Sequence, residues 1–184
     1  MSLDLQYLKN KNVTFTFQLL PKNLTELQLL PEASLDSPYA TAALAVAAMC
    51  YYGSDPSKVV DMLNYLKGPS SLSQHDIQFM RDRLKGKEFK TFSFFEGALP
   101  GNNYTPSEPY RITVSDNPNS WIVEDTSSSA TGPVHYARLY IKSSGADSAR
   151  PITMRYKPST NQWFMTDHQL LADIRVPIAE DKWS

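Results

Sequence analysis

The sequence has a single cysteine, Cys50, so no intrachain disulfide can form and a zinc site built on several thiolates is excluded. Its three histidines, His75, His135 and His168, stand far apart with no HxH or HxxxH spacing, and no metal site is expected. The seven glycines are scattered, giving neither a phosphate-cradling loop nor a dinucleotide fingerprint, and no cofactor is expected. Neither sign of charge dominates: 18 basic residues face 19 acidic ones, for a formal net charge of −1. No global field would draw such a chain to nucleic acid or to an anionic membrane. The opening MSLDLQYLKNKN lacks the apolar core of about 7–15 residues that a secretory signal carries. These absences make the cytoplasm the expected compartment.

What remains is an ordinary globular composition. With 41% apolar and 20% charged residues over 184 positions, the chain has enough material for one domain with a proper core. We read it as a single domain, 1–184, in four segments: an N-terminal strand and link (1–33), a helical layer (34–86), a long loop (87–109), and a sheet with its tail (110–184).

The chain is organised around Pro38 to Tyr52, which is apolar on every side. A helix without a solvent face is either a membrane span or the buried centre of a domain. At about 1.5 Å per residue this one covers about 20 Å, short of the roughly 30 Å of a bilayer core. Ser37 as N-cap and Pro38 at the first helical position open it, and Gly53 is expected to close it in the left-handed conformation. The same grammar repeats in Asp55-Pro56 through Gly68, with Val59, Val60, Leu63 and Leu66 as the apolar stripe. A third helix runs from about Ser73 to Lys85, where Ser73 and Asp76 resemble a capping box and Ile77, Met80 and Leu84 recur at helical spacing. Three such helices with short joints predict an antiparallel layer.

Strands flank this layer. Val13, Phe15, Phe17 and Leu19 alternate with Thr14, Thr16 and Gln18, the period-2 pattern of a strand with one buried face. Tyr110 to Val114, Ser120 to Val123 and Val134 to Lys142 are further strands, and Pro151–Lys157 with Gln162–Thr166 form a hairpin around Pro158 to Asn161. Residues 124–133 read as a mobile polar loop. The long irregular stretch 87–109 carries Phe89, Phe92, Phe94 and Phe95, which gain by burial and argue for order. Helices first and strands later predict an α+β fold, three N-terminal helices on a mostly antiparallel C-terminal sheet.

The candidate chemistry is thin. Cys50 lies in the most apolar helix and reads as a buried hydrophobe rather than a nucleophile. His135 shares the apolar face of its strand with Ala137, Leu139 and Ile141; a hydrogen-bonded core histidine is the plain reading and a catalytic base the sharper one. No nucleophile-elbow sequence accompanies it. The basic run Arg81, Arg83, Lys85, Lys87 and Lys90 is explained by the C-terminal dipole of the third helix. The opposite face of the strong strand holds Tyr136, Arg138 and Tyr140, to which the hairpin adds Arg155 and the long loop is expected to add Tyr104. Tyrosine beside arginine is common in recognition surfaces. The plain alternative is a solvated sheet face with cross-strand aromatic pairs.

Four stretches carry a resemblance: SPYATAALAVAAMCYYG with its following helix, FSFFEGALPGNNYTPSEPY, ARLYIKSSGADSARPITMRYKPSTNQWF and DIRVPIAEDKWS. The chain resembles, over nearly all its length after about Ser34, a family of uncharacterised bacterial proteins, a domain of unknown function. The resemblance implies a recurring bacterial, cytosolic unit and carries no activity, cofactor or catalytic residue with it.

Two functional classes follow. One is a non-enzymatic recognition module that binds a protein partner or small ligand through Tyr136, Arg138, Tyr140, Arg155 and Tyr104. The other is a hydrolase or transferase with a site assembled from distant residues around His135. The residues identify neither the ligand nor the oligomeric state.

Overall fold

The computed structural model describes residues 12–124 and 132–184. The loop expected at 124–133 lies mostly outside the described residues. Strands β1 (Asn12–Phe17), β2 (Tyr110–Ser115), β3 (Trp121–Glu124), β4 (Val134–Ile141), β5 (Arg150–Lys157) and β6 (Gln162–His168) form one antiparallel sheet in the order β1-β2-β4-β5-β6. β2 and β3 share one edge of β4, β3 against its start and β2 against its end. The α-helices are α1 (Leu24–Gln28), α2 (Pro38–Met49), α3 (Pro56–Lys67), α4 (Gln74–Leu84) and the single turn α5 (Phe89–Phe92). The α+β expectation holds, with helices mostly early and strands mostly late.

Every residue of α2 is buried, Ala42, Leu44, Ala45, Ala48 and Met49 to 1% exposure or less. The small side chains let the sheet and α3 approach the helix closely, and α2 packs against β1, β2, β4, β5 and β6. Thr41 is fully buried in it, and its hydroxyl donates to the Trp163 carbonyl at 2.9 Å. Leu35 accepts from the Trp163 N–H at 2.8 Å, so both outward-pointing backbone groups of that β6 residue are satisfied. The core is continuous from Phe17 to Ile174. Among the described residues no helix is long and apolar enough to cross a membrane.

Helix boundaries follow the capping residues at four of the five ends where the sequence supplies one. Ser37 Oγ accepts from Ala40, Asp55 Oδ1 from Ser57 and Lys58, and Ser73 with Asp76 forms a full capping box. Gly68 closes α3 at φ +62°. Gly53 is the exception: α2 stops at Met49, before the expected Tyr52, and Cys50 caps it at φ −62° without any left-handed residue. What Gly53 provides is space, since a Cβ there would lie 2.8 Å from Glu88 Cγ.

Two further expectations need correction, and the leucine-rich stretch between Pro21 and Pro31, to which the sequence assigns no element, gains a helix. β1 ends at Phe17, and Leu19 is 77% exposed rather than part of the inward row, because the strand turns away toward Pro21. The leucine-rich link holds α1, capped by Asn23 Oδ1 on Glu26 N–H at 2.9 Å. Lys90 is no exposed member of a basic face: it is 8% exposed and its ammonium donates to the Leu171 carbonyl at 3.1 Å. The phenylalanines of 87–109 do pack, Phe94 and Phe95 fully and Phe89 and Phe92 in part.

Candidate functional site

The sheet has one face against α2, built from Ile112, Val114, Ala137, Leu139, Ile152, Met154, Trp163 and Met165. Strand alternation turns their neighbours outward. Arg138 and Arg155 are exposed, while Tyr136 and Tyr140 are half-buried. Register then decides which of these meet. Tyr136 pairs with Arg155 across β4–β5, and the Arg155 guanidinium lies 5.9 Å from the Tyr136 ring centroid. Arg138 pairs with Thr153 and Tyr140 with Pro151. Neither arginine has a carboxylate within ion-pair distance among the described residues.

Tyr104 does not join this face. Its hydroxyl donates to the Arg175 carbonyl at 2.8 Å, its ring stacks on Phe89 at 5.5 Å, and only 1% of it is exposed. The blocks that carried the family resemblance explain why. A Cβ at Gly145 would strike the Tyr104 hydroxyl, Arg175 N–H donates to the Gly145 carbonyl at 2.9 Å, and Arg175 pairs with Asp147 at 2.7 Å. Ser143 and Ser93 hydroxyls meet at 2.7 Å beneath them. These loop blocks converge on one another and hold the chain's loops together.

His135 ends a run of packed rings that passes from Tyr39 through Trp121, Trp163 and Tyr156, with successive centroids 6.3, 6.0, 5.1 and 6.3 Å apart. Its Nδ1 is buried with no hydrogen-bond partner among the described residues, and no hydroxyl or carboxylate is aligned with it there. Cys50 is half-buried as a residue rather than fully buried, yet desolvation of its thiol pushes it up to about 12, with a partial offset from the Thr91 hydroxyl.

The outward face deepens into a groove of about 710 Å³ at the β5–β6 hairpin. Arg155 and Lys157 project into it from alternate positions of β5, Phe164 stands opposite Arg155 on β6, and Lys67 with Pro69 comes from the end of α3. Val134 closes the far side. The lining thus has three cations and, among the described residues, no carboxylate. Lys67 donates to the Thr166 carbonyl at 3.3 Å and forms the wall shared with a smaller hollow of about 220 Å³ that holds His75, Asp76, Asp167 and His168. Asp76 is lowered there first by the Ser73 N–H and only later by Lys67. His168 is lowered below the ordinary histidine value, chiefly by burial. Among the described residues no cluster of three or more metal-ligating side chains occurs.

A family model described as a domain of unknown function, DUF6935, matches residues 19–178. The chain belongs to that family. No curated protein and no solved structure matches it. The match covers nearly the whole DUF6935 chain, so the groove and the loop junction both fall inside the family's unit.

Of the groove's lining, the candidate site residues named from sequence include Arg155, with Tyr136 beside it, but not Lys67, Lys157 or Phe164. A signal for Phe164 was present: a four-residue loop at 158–161 pairs Lys157 with Gln162, which sets Arg155 opposite Phe164. Lys67 had no such signal, because its place depends on how α3 lies along β6.

Proposed function

We propose that this protein is a non-enzymatic recognition module that binds a small negatively charged ligand in the groove between the α3 end and the β5–β6 hairpin. The observation that carries this reading is three cations converging on an apolar concavity with no described carboxylate among its lining residues. Cations without an ion-pair partner among the described residues, gathered at a concave surface, favour an anion, and the groove's size suits a small molecule rather than a flat protein contact. Tyr136 supports the site by holding the Arg155 fork, and Arg138 and Tyr140 extend the same face. In this reading the chain acts as one domain in the bacterial cytosol, in keeping with its continuous core and its single cysteine.

Calorimetric titration at low salt with matched anionic and neutral small molecules tests the reading. Anions bind and neutral isosteres do not, and Arg155→Ala weakens the anions at least about tenfold while the melting temperature stays within the small range of a surface change. Arg138→Ala, farther along the face, also leaves the melting temperature in place, since Arg138 is exposed and without an ion-pair partner among the described residues. Equal binding of neutral and anionic members, or anion binding indifferent to Arg155, overturns the reading.

A further inference from the structure

We infer that the groove is shaped for an anion carried on a flat aromatic ring, the ring lying on Phe164 and the charge meeting Arg155. This rests on the reading of the groove as an anion site and adds the chemical class of its ligand.

Gly68 sits against the ring of Phe164. A Cβ built there would fall on Cδ1 of the Phe164 ring and within 2.6 and 2.7 Å of Cε1 and Cγ. Closeness to three adjacent ring atoms at once places that position over the ring's face, since an approach in the ring plane would leave the neighbouring atoms farther off. The Gly68 backbone therefore covers one face of Phe164. The ring lines the groove and is only half-buried, and we infer that the face turned away from Gly68 is the one a ligand meets.

Beside this flat surface stands a second oriented group. Phe164 and Arg155 are direct cross-strand partners, with Cα atoms roughly 5.5 Å apart at most in such a ladder. Their side chains rise on the same side of the sheet. Arg155 lies by the Tyr136 ring on its other flank, which restrains a guanidinium otherwise free to swing. A guanidinium matches the two oxygens of a carboxylate or phosphate in its own plane. A ring stacked on Phe164 carries such a substituent directly to that fork, and Lys67 and Lys157 flank it as point charges.

Calorimetry of the full chain at low salt tests this with five probes: 2-naphthoate, 2-naphthyl phosphate, the fully saturated decalin-2-carboxylate, neutral 2-naphthylmethanol and inorganic phosphate. A flat aromatic anion is expected to bind about tenfold or more tightly than the saturated acid, the scale of ring-on-ring stacking. The ratio of naphthoate to naphthyl phosphate identifies which anion the fork prefers. Phe164→Leu is expected to erase the advantage of the flat ring over the saturated acid. The wild-type comparison of flat and saturated acids needs no variant, so it decides even if Phe164→Leu fails to fold. If the saturated acid, or inorganic phosphate alone, binds as tightly as the flat anions, the ring inference fails and the anion reading stands. If no anion binds better than 2-naphthylmethanol, both fail.

Discussion

Gly68 is where the fold and the groove depend on a single missing atom. It sits at φ +62° with ψ −122°, a combination closed to ordinary side chains, and its bare Cα supports the face of Phe164. Gly68→Ala therefore has two costs. Holding alanine in a sparsely populated backbone region costs about 1–3 kcal/mol. Displacing a half-buried phenylalanine from its seat adds about 1–2 kcal/mol of lost burial. Together they predict a loss of roughly 2–5 kcal/mol, or a fall in melting temperature of about 4–20 °C for a chain of this size. Denaturant unfolding of the wild type, Gly68→Ala, Phe164→Ala and the double variant separates the two parts. Removing the ring relieves the collision but not the backbone strain, so the double variant should be less destabilised than the sum of the singles by about 1 kcal/mol or more. Additivity within about 0.5 kcal/mol would refute the seating of Phe164 on Gly68, and with it the flat surface in the groove.

Three other outcomes follow from the core and the caps. Ala45→Leu adds three carbons at a position with no exposed surface and should cost about 1–3 kcal/mol by overpacking, measured by chemical denaturation. Cys50, its thiol raised to about 12 by burial, should resist a charged thiol reagent at pH 8 in the native state and react only after unfolding. Asp76 is depressed below its ordinary value by the Ser73 N–H, so its stabilisation is present above about pH 4 and is lost as pH falls through the lower folded value. Asp76→Ala should cost about 1 kcal/mol at neutral pH and flatten the acid limb of the stability profile.

The elements with strong local chemistry were legible in the sequence. Ser37-Pro38, Asp55-Pro56 and Ser73 with Asp76 are capping signals that act within one turn, and each opens a helix where they predict. The strand alternation of Val134 to Ile141 separated the buried Ala137, Leu139 and Ile141 from the outward Tyr136, Arg138 and Tyr140. Gly53 misled because glycine serves either a left-handed turn or a close approach, and only the position of Glu88 tells which. Tyr104 misled because a loop tyrosine between Asn103 and Thr105, just before Pro106, reads as exposed, whereas Gly145 and Arg175, far along the chain, enclose it. The groove was half legible: cross-strand register follows from the hairpin loop, but the arrival of Lys67 at the β6 edge is a tertiary fact.

The central claim is that the ligand lies in the groove at the β5–β6 hairpin. Backbone and arginine side-chain NMR shifts of labelled protein, followed as the tightest-binding anion of the panel is added, test it most directly. The account predicts saturable shifts centred on Lys67, Arg155, Lys157 and Phe164, with the Arg155 side-chain signal moving most. Shifts centred instead on the loop junction of Tyr104, Gly145 and Arg175, or spread evenly over exposed lysines, would contradict it.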